Sequence, residues 1–161
     1  MPLREATEDD LELIRTWRNH PLTRSTAIYT AVITPEHHRG WWNAVQADPA
    51  RKALIFELDG VPCGAVTIND LDEQARTAEW GFFLDVETLT ASGGMLRAWM
   101  ELEKAVVEYG FEELKLVALG GRTLASNKQV LALHRRFGFV EVPERGYTTE
   151  IDGTEQRVIW T

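Results

Sequence analysis

The run AEWGFFLDVETLTASGGMLRAW, residues 78–99, carries the densest chemistry in the chain. Small and large apolar residues alternate up to Leu84 and predict a strand, which Asp85 ends. Thr88, Thr90, Ser92, Gly93 and Gly94 then place hydroxyls and side-chain-free amides where a helix should begin. A helix start presents unpaired N–H groups and partial positive charge, so such a loop can hold phosphate oxygens. The same loop also reads as an ordinary strand-to-helix turn. Glu79 puts a carboxylate into that strand, a costly place to leave one without a partner.

Other reactive side chains are spread more thinly. His37 and His38 are adjacent rather than four apart, and no Cys or matched acid accompanies them, so no metal site is expected. Cys63, the single cysteine, lies in the apolar strand VPCGAV and reads as a buried thiol rather than a nucleophile. It cannot form an internal disulfide, which agrees with a reducing compartment. Arg18 and Arg24 suit phosphate, because a guanidinium binds its oxygens in pairs. They read equally well as partners for the many local acids.

These groups need elements to position them. PLREAT predicts a first strand. Thr7-x-x-Asp10 signals a helix start before Leu11, Ile14 and Trp17, and Pro21 stops that helix by His20. Residues 22–32 look extended or looped. Thr34-Pro35 opens a second helix that carries Glu36, His37, His38, Trp41 and Trp42 and fades near Asp48. KALIFEL and VPCGAVTIND form a hairpin about Asp59-Gly60. After the strand with Glu79 comes a long helix, then LKLVALGGRTLA as one strand. Asn127 caps the next helix, Gly138 ends it, and the tail reads as strands about Asp152-Gly153. The order β-α-α-β-β-β-α-β-α-β-β predicts an α/β domain with a mixed sheet covered by helices on both faces.

Composition narrows the function classes. The 161 residues suit one domain, 1–161, with 44% hydrophobic and 26% charged residues as in a soluble protein. A net charge of −8 leaves no basic footprint for nucleic acid. No apolar run is long enough to span a bilayer and MPLREATEDD is no signal peptide, so the expected location is cytoplasmic. Of the paired Trp41 and Trp42, one should face the core while the other is free to line a groove.

Four pieces in order resemble the GNAT superfamily of acyl-CoA-dependent N-acetyltransferases. The likeness is strongest to the branch holding ribosomal-protein alanine acetyltransferases and pseudaminic-acid-pathway amino-sugar acetyltransferases. WRNHPLTR (17–24) is similar to the branch's WRN…R element, and ITPEHHRGWW (33–42) to its I-S-x-x-E-H-x-x-W element. RTAEWGFFL (76–84) resembles its fourth strand. ASNKQVLALHRRFGF (125–139) resembles its A-x-N…F-G-F signature. Two departures stand out. Of the superfamily's pyrophosphate loop, Q/R-x-x-G-x-G/A, only Gly94 survives, and the stretch from Gly94 to Phe111 is longer than in the branch. Gly120, Gly121 and Arg122 also replace a usual apolar run with a Glu.

The resemblance implies a GNAT fold, its central sheet mixed but mostly antiparallel, with acetyl-CoA as co-substrate and no metal. It implies Glu79 as the base that takes the amine's proton through water, unless Glu79 is only a sheet-surface carboxylate. His134 falls where many members place a Tyr that protonates the thiolate; it reads also as a helix histidine beside the core. Phe82, Phe83 and Leu84 would pair with the pantetheine amides, Thr90, Ser92, Gly93 and Gly94 would hold the pyrophosphate, and Asn127 would lie near the pantetheine arm. Arg18, Arg24, His38 and Trp41 are the substrate-side candidates. The implied reaction is acetyl transfer to a primary amine, with a nucleotide-linked 4-amino-4,6-dideoxy sugar as the favoured acceptor. A protein N-terminus, an antibiotic or an aminoacyl small molecule is the alternative, and a non-catalytic binding module the reading from another class. Free strand edges allow a homodimer.

Overall fold

A computed structural model describes residues 2–161. Its centre is set by β2 (Lys52–Leu58) and β3 (Val61–Asp72), whose side chains alternate between two apolar layers. Leu54 and Phe56 of β2, with Val66 and Ile68 of β3, face one layer. Ala53, Ile55 and Ala65 face the other. Successive strand residues point to opposite faces, so a strand buried on both reads as an unbroken apolar run such as ALIF. Asp59 and Gly60 both take left-handed backbone (φ 53° and 79°) and make the tight turn expected between these strands.

Around this pair the sheet runs β1 (Leu3–Glu5), β2, β3, β4 (Thr77–Leu84) and β5 (Ala118–Gly120). All neighbours are antiparallel except β4 and β5, which are parallel. One face is covered by α1 (Leu11–Asn19) and α3 (Pro35–Ala47). Ile14 and Trp17 pack there on Ile55 and Ala65, while Leu11, Trp42 and Val45 pack on Ala53. The other face takes α5 (Met95–Glu108) through Ala98, Leu102, Ala105 and Val106. The first helix start is built as its sequence signals: the Thr7 N–H donates to the Asp10 carboxylate (2.8 Å), which also accepts two bonds from Arg4. Thr34 caps α3 by accepting from the His37 N–H.

Three expectations need correction. The residues after Pro21 are not all extended, because a short helix, α2 (Pro21–Ser25), follows α1 at once. Pro fits its first turn and the His20 ring accepts from the Leu22 N–H. The Thr- and Ser-rich run is not a loop but α4 (Val86–Ser92). Asp85 caps its start by accepting from the Thr88 N–H, and Gly93 closes it in left-handed backbone (φ 73°).

LKLVALGGRTLA is not one strand: β5 belongs to the main sheet, whereas β6 (Arg122–Leu124) joins a second sheet. That sheet has the order β6, β8 (Thr154–Trp160), β7 (Tyr147–Ile151), and α6 (Lys128–Arg136) precedes β7. The extra length after Gly94 is helical. Beyond α5 the chain widens into a π turn over Tyr109–Glu113, closed by the Leu114 N–H on the Tyr109 carbonyl (3.0 Å). Among the described residues no helix is long and apolar enough to cross a membrane.

Candidate active site

β4 and β5 part after Glu79. Their parallel pairing covers only Thr77–Glu79 against Ala118–Gly120. At Gly121 the chain leaves the main sheet, exchanging backbone bonds with Thr161 at 2.9 and 3.0 Å. A Cβ at Gly121 would lie 2.7 Å from the Trp80 carbonyl oxygen, so the close approach that starts the splay needs glycine. Among the described residues, β4 from Trp80 to Leu84 has a strand on one side only. Its bare edge opens into a cleft of about 610 Å³, lined further by α1, α2, the start of α5 and α6.

Phe82, Phe83 and Leu84 all line this cleft, as does Thr90. Ser92, Gly93 and Gly94 do not line it. The Gly93 and Gly94 amides donate to the Thr90 and Leu89 carbonyls (3.3 and 3.0 Å), closing α4, and the Ser92 hydroxyl bonds the Leu89 carbonyl. The open amides come one step later: Met95, Leu96 and Arg97 form the first turn of α5 and have no intrahelical partner. Asn127 sits at the cap position of α6 as expected, yet its side chain makes no capping bond and the residue lines the cleft. Trp99 of α5, also a lining residue, holds a buried indole N–H with no partner.

The two candidate proton-handling groups are differently placed. Glu79 lies at the point of parting, mostly buried, and accepts from the Nε of Arg122 at 2.6 Å. Arg122 also donates to the Tyr147 hydroxyl (3.1 Å) and lines the cleft. Burial alone would lower the Arg122 pKa, but the bonds to Glu79 and Tyr147 outweigh it and raise it. Glu79 is therefore half of an ion pair, which gives a carboxylate in this strand the partner it needs. His134 lines the cleft from α6, its ring edge-on to Trp80 (5.3 Å between centroids) and close to Phe139 (5.4 Å). Its Nδ1 is bonded to Glu103, a carboxylate of α5 with no exposed surface. Sequence reasoning missed Glu103. The available signal was a charge flanking the apolar positions Ala98, Leu102 and Val106 of an amphipathic helix.

Of the four substrate-side candidates, the structure brings only Arg18 to the cleft. Its guanidinium carbon lies 5.4 Å from the centre of the Phe83 ring. Burial lowers its pKa, and no carboxylate acts on it. Arg24 instead braces the wall, donating from Nε to the Thr30 carbonyl at 2.8 Å. His38 is buried on the far side: its Nε2 bonds the Leu11 carbonyl (2.9 Å), and burial pulls its pKa down. Trp41 stacks on His38 at 5.0 Å and packs between the two helices. Asn19, the last residue of the WRN element and not a site candidate, clamps the loop over the cleft by bonding Ile33 through both N–H and C=O. Cys63 is buried, its thiol pushed up to about 11 chiefly by desolvation, as expected of an inert thiol.

The acetyltransferase (GNAT) domain family matches residues 1–140. The chain belongs to that family. With it come acetyl-CoA as donor and N-acetyl transfer as reaction. Among curated relatives, the chain is 29% identical over 119 residues to YdaF of Bacillus subtilis (strain 168), a candidate ribosomal N-acetyltransferase. That match covers 73% of this chain but only 58% of the relative. It is 23% identical over 135 residues to the acetyltransferase PseH of Campylobacter jejuni, covering 84% of this chain and 80% of that one. Among solved structures, the spermidine N-acetyltransferase of Vibrio cholerae in complex with CoA and spermine superimposes with a TM-score of 0.78. It does so at 20% identity over 99% of this chain and 93% of the other, a likeness of fold.

The cleft fits the donor on this chain's own features. A bare strand edge suits the amides of a pantetheine arm, and the first turn of α5, which reaches the cleft at Met95, has open amides that suit a diphosphate. Among the described residues no cluster of three or more His, Cys, Asp or Glu is placed to hold a metal.

Proposed function

We propose that the chain acetylates a primary amine on a small molecule that also carries an anionic group, and that this acceptor is a nucleotide-linked 4-amino-4,6-dideoxy sugar. Arg18 carries the reading. It is a partly buried cation facing the cleft with no acid to neutralise it, and no Asp or Glu is among the cleft-lining residues. A buried charge without a partner is costly, and a bound phosphate offsets that cost through paired hydrogen bonds. A polycation such as a polyamine would meet the same cation as repulsion. Tyr29 and the apolar loop above α2 give a flat base or sugar ring a surface to lie on.

Bound acetyl-CoA supplies the thioester to be attacked. The edge of β4 orients it, and the Met95–Arg97 amides take its diphosphate in place of the Gly93 and Gly94 amides. Glu79 lies beside the cleft rather than among its lining residues, so it takes the amine's proton through water. His134 protonates the departing sulfur. A basic protein N-terminus is the second reading, favoured by the net charge of −8, which attracts one.

The test is a panel with acetyl-CoA and thiol detection: a nucleotide-linked 4-amino-4,6-dideoxy sugar, the same sugar without its nucleotide, spermidine, and a basic peptide with a free N-terminus. The proposal expects the highest kcat/KM for the nucleotide-linked sugar. A higher value for spermidine or the peptide refutes it. Calorimetry with acetyl-CoA runs alongside, and absence of binding at millimolar donor would mean a fold that has lost its donor site.

A further inference from the structure

The oddest residue in the interior is Glu103. It stands on the face of α5 that buries Ala98, Leu102, Ala105 and Val106, and its side chain has no exposed surface. A carboxylate taken fully out of water costs several kcal/mol of order unless a charge or donor meets it, and an apolar residue of similar volume would pack there more cheaply. Its Oε1 meets Nδ1 of His134, while its Oε2 has no partner. The pair joins α5 to α6 across the inner end of the cleft.

His134 is fixed by more than this bond. Trp80 and Phe82 of β4 and Phe139 beyond α6 wall the ring, with centroids 5.3, 6.4 and 5.4 Å away, and none of them ionises. Glu103 is thus the ionisable group bonded to the ring from the elements packed on it. Arg18 and Arg122 are the other charged groups that share the cleft. With Nδ1 turned to Glu103, the nitrogen left to the cleft is Nε2, which makes no hydrogen bond within the described residues.

We infer that Glu103 is a positioning residue for proton transfer at His134: the buried carboxylate holds the proton on Nδ1, aims Nε2 at the cleft and balances the charge of the imidazolium. The inference rests on the acetyltransferase reading of the site. A carboxylate bonded to one ring nitrogen fixes the tautomer and orientation of the other, the logic by which acyl-transfer triads hold their histidine. In the step, Nε2 gives its proton to sulfur as the carbon–sulfur bond breaks and its electron pair goes to sulfur. The acceptor nitrogen, now bonded to the acetyl carbon, loses one proton to water by way of Glu79. Solvent entering the cleft returns one proton to His134, so charge and protons balance over the cycle.

The experiment compares the full chain with Glu103→Gln, Glu103→Ala and His134→Ala. In nitrogen-15 histidine NMR without ligand, the parent should show the His134 ring proton on Nδ1. Glu103→Gln should keep it, because the amide oxygen still accepts, and Glu103→Ala should lose it. A parent ring carrying its neutral-state proton on Nε2 alone overturns the inference, whatever the acceptor proves to be. In turnover, Glu103→Gln should lower kcat about tenfold or more while leaving KM for acetyl-CoA within about twofold. The alkaline limb of its pH profile should no longer coincide with the parent's, since the negative charge bonded to the ring is gone. His134→Ala should flatten that limb. If Glu103→Gln lowers the melting temperature but leaves kcat and the limb where the parent has them, the carboxylate is only structural and the inference fails.

Discussion

Replacing Arg18 by Met keeps most of the side chain's length and removes only the cation. The guanidinium sits over Phe83 with no carboxylate acting on it, so the free protein loses little: one cation–π contact, about 0.5–1 kcal/mol. Relief of its desolvation works the other way. The complex loses much more. Hydrogen bonds to a charged group contribute about 1.5–3 kcal/mol, and each 1.4 kcal/mol is about tenfold in affinity. Screening from the open side of the cleft trims the upper figure, which leaves a rise of about 10- to 100-fold in KM for an acceptor bearing phosphate. The value of kcat should stay within about threefold, because Arg18 binds ground state and transition state alike. The assay pairs two acceptors with the same amine, one phosphorylated and one neutral, at low and high salt. Arg18→Met should abolish the parent's preference for the phosphorylated one, and added salt should narrow that preference in the parent but not in the variant. Equal changes for both acceptors, or none for the phosphorylated one, would refute the assignment of Arg18 to an anion.

Two further substitutions test the frame that positions the site. Gly121→Ala forces a methyl group to within 2.7 Å of the Trp80 carbonyl oxygen, where backbone must move. Overpacking of this kind costs about 1–3 kcal/mol, and because the strain falls where β4 and β5 part, calorimetry should show acetyl-CoA binding weakened about tenfold or more. Asp10→Asn turns one of the two carboxylate oxygens into an NH2 group and removes the charge, so the Thr7 N–H and the two Arg4 N–H groups no longer all find acceptors, a loss of about 2 kcal/mol that lowers the melting temperature by about 4–8 °C near neutral pH. The Arg4 bonds hold the Asp10 carboxyl below its usual range, so the native state binds fewer protons than the unfolded chain there. Its contribution is complete above the unfolded Asp value, about 3.9, and fades as pH falls through the lower folded value. Denaturant unfolding should accordingly show parent and variant converging on acidification, and a gap that stays constant into strong acid would contradict the assignment.

The parts of this molecule that were legible in the sequence are those whose cause is local. The Thr7 and Thr34 helix starts, the Asp59-Gly60 turn and the two-sided burial of ALIF each depend on residues a few positions apart. α4 escaped because a Ser-, Thr- and Gly-rich composition outweighed the two residues, Asp85 and Gly93, that make its ends. The division of β5 from β6 escaped for a different reason: the bend at Gly121 is held by Thr161, forty residues away in the sequence.

Motif likeness shows the same divide. WRN and EHxxW marked residues that the structure holds in specific contacts, yet most of them brace the cleft rather than face it. Trp17 fills the core, Asn19 and Arg24 tie down the loop, His38 anchors α3 to α1, and only Arg18 reaches the opening. A pattern of residues marks positions where change is costly without separating the cost of folding from the cost of chemistry. What separates them is the partner each side chain finds. Arg24 and His38 find backbone carbonyls of their own chain and are spent on structure. Arg18 finds none, and Glu103, with no motif to announce it, finds the histidine at the splay. A charge held in the interior against its solvation needs either a partner of equal permanence or a ligand, and that requirement is why the unpaired cation and the buried carboxylate, rather than the better-marked motif residues, carry the functional argument here.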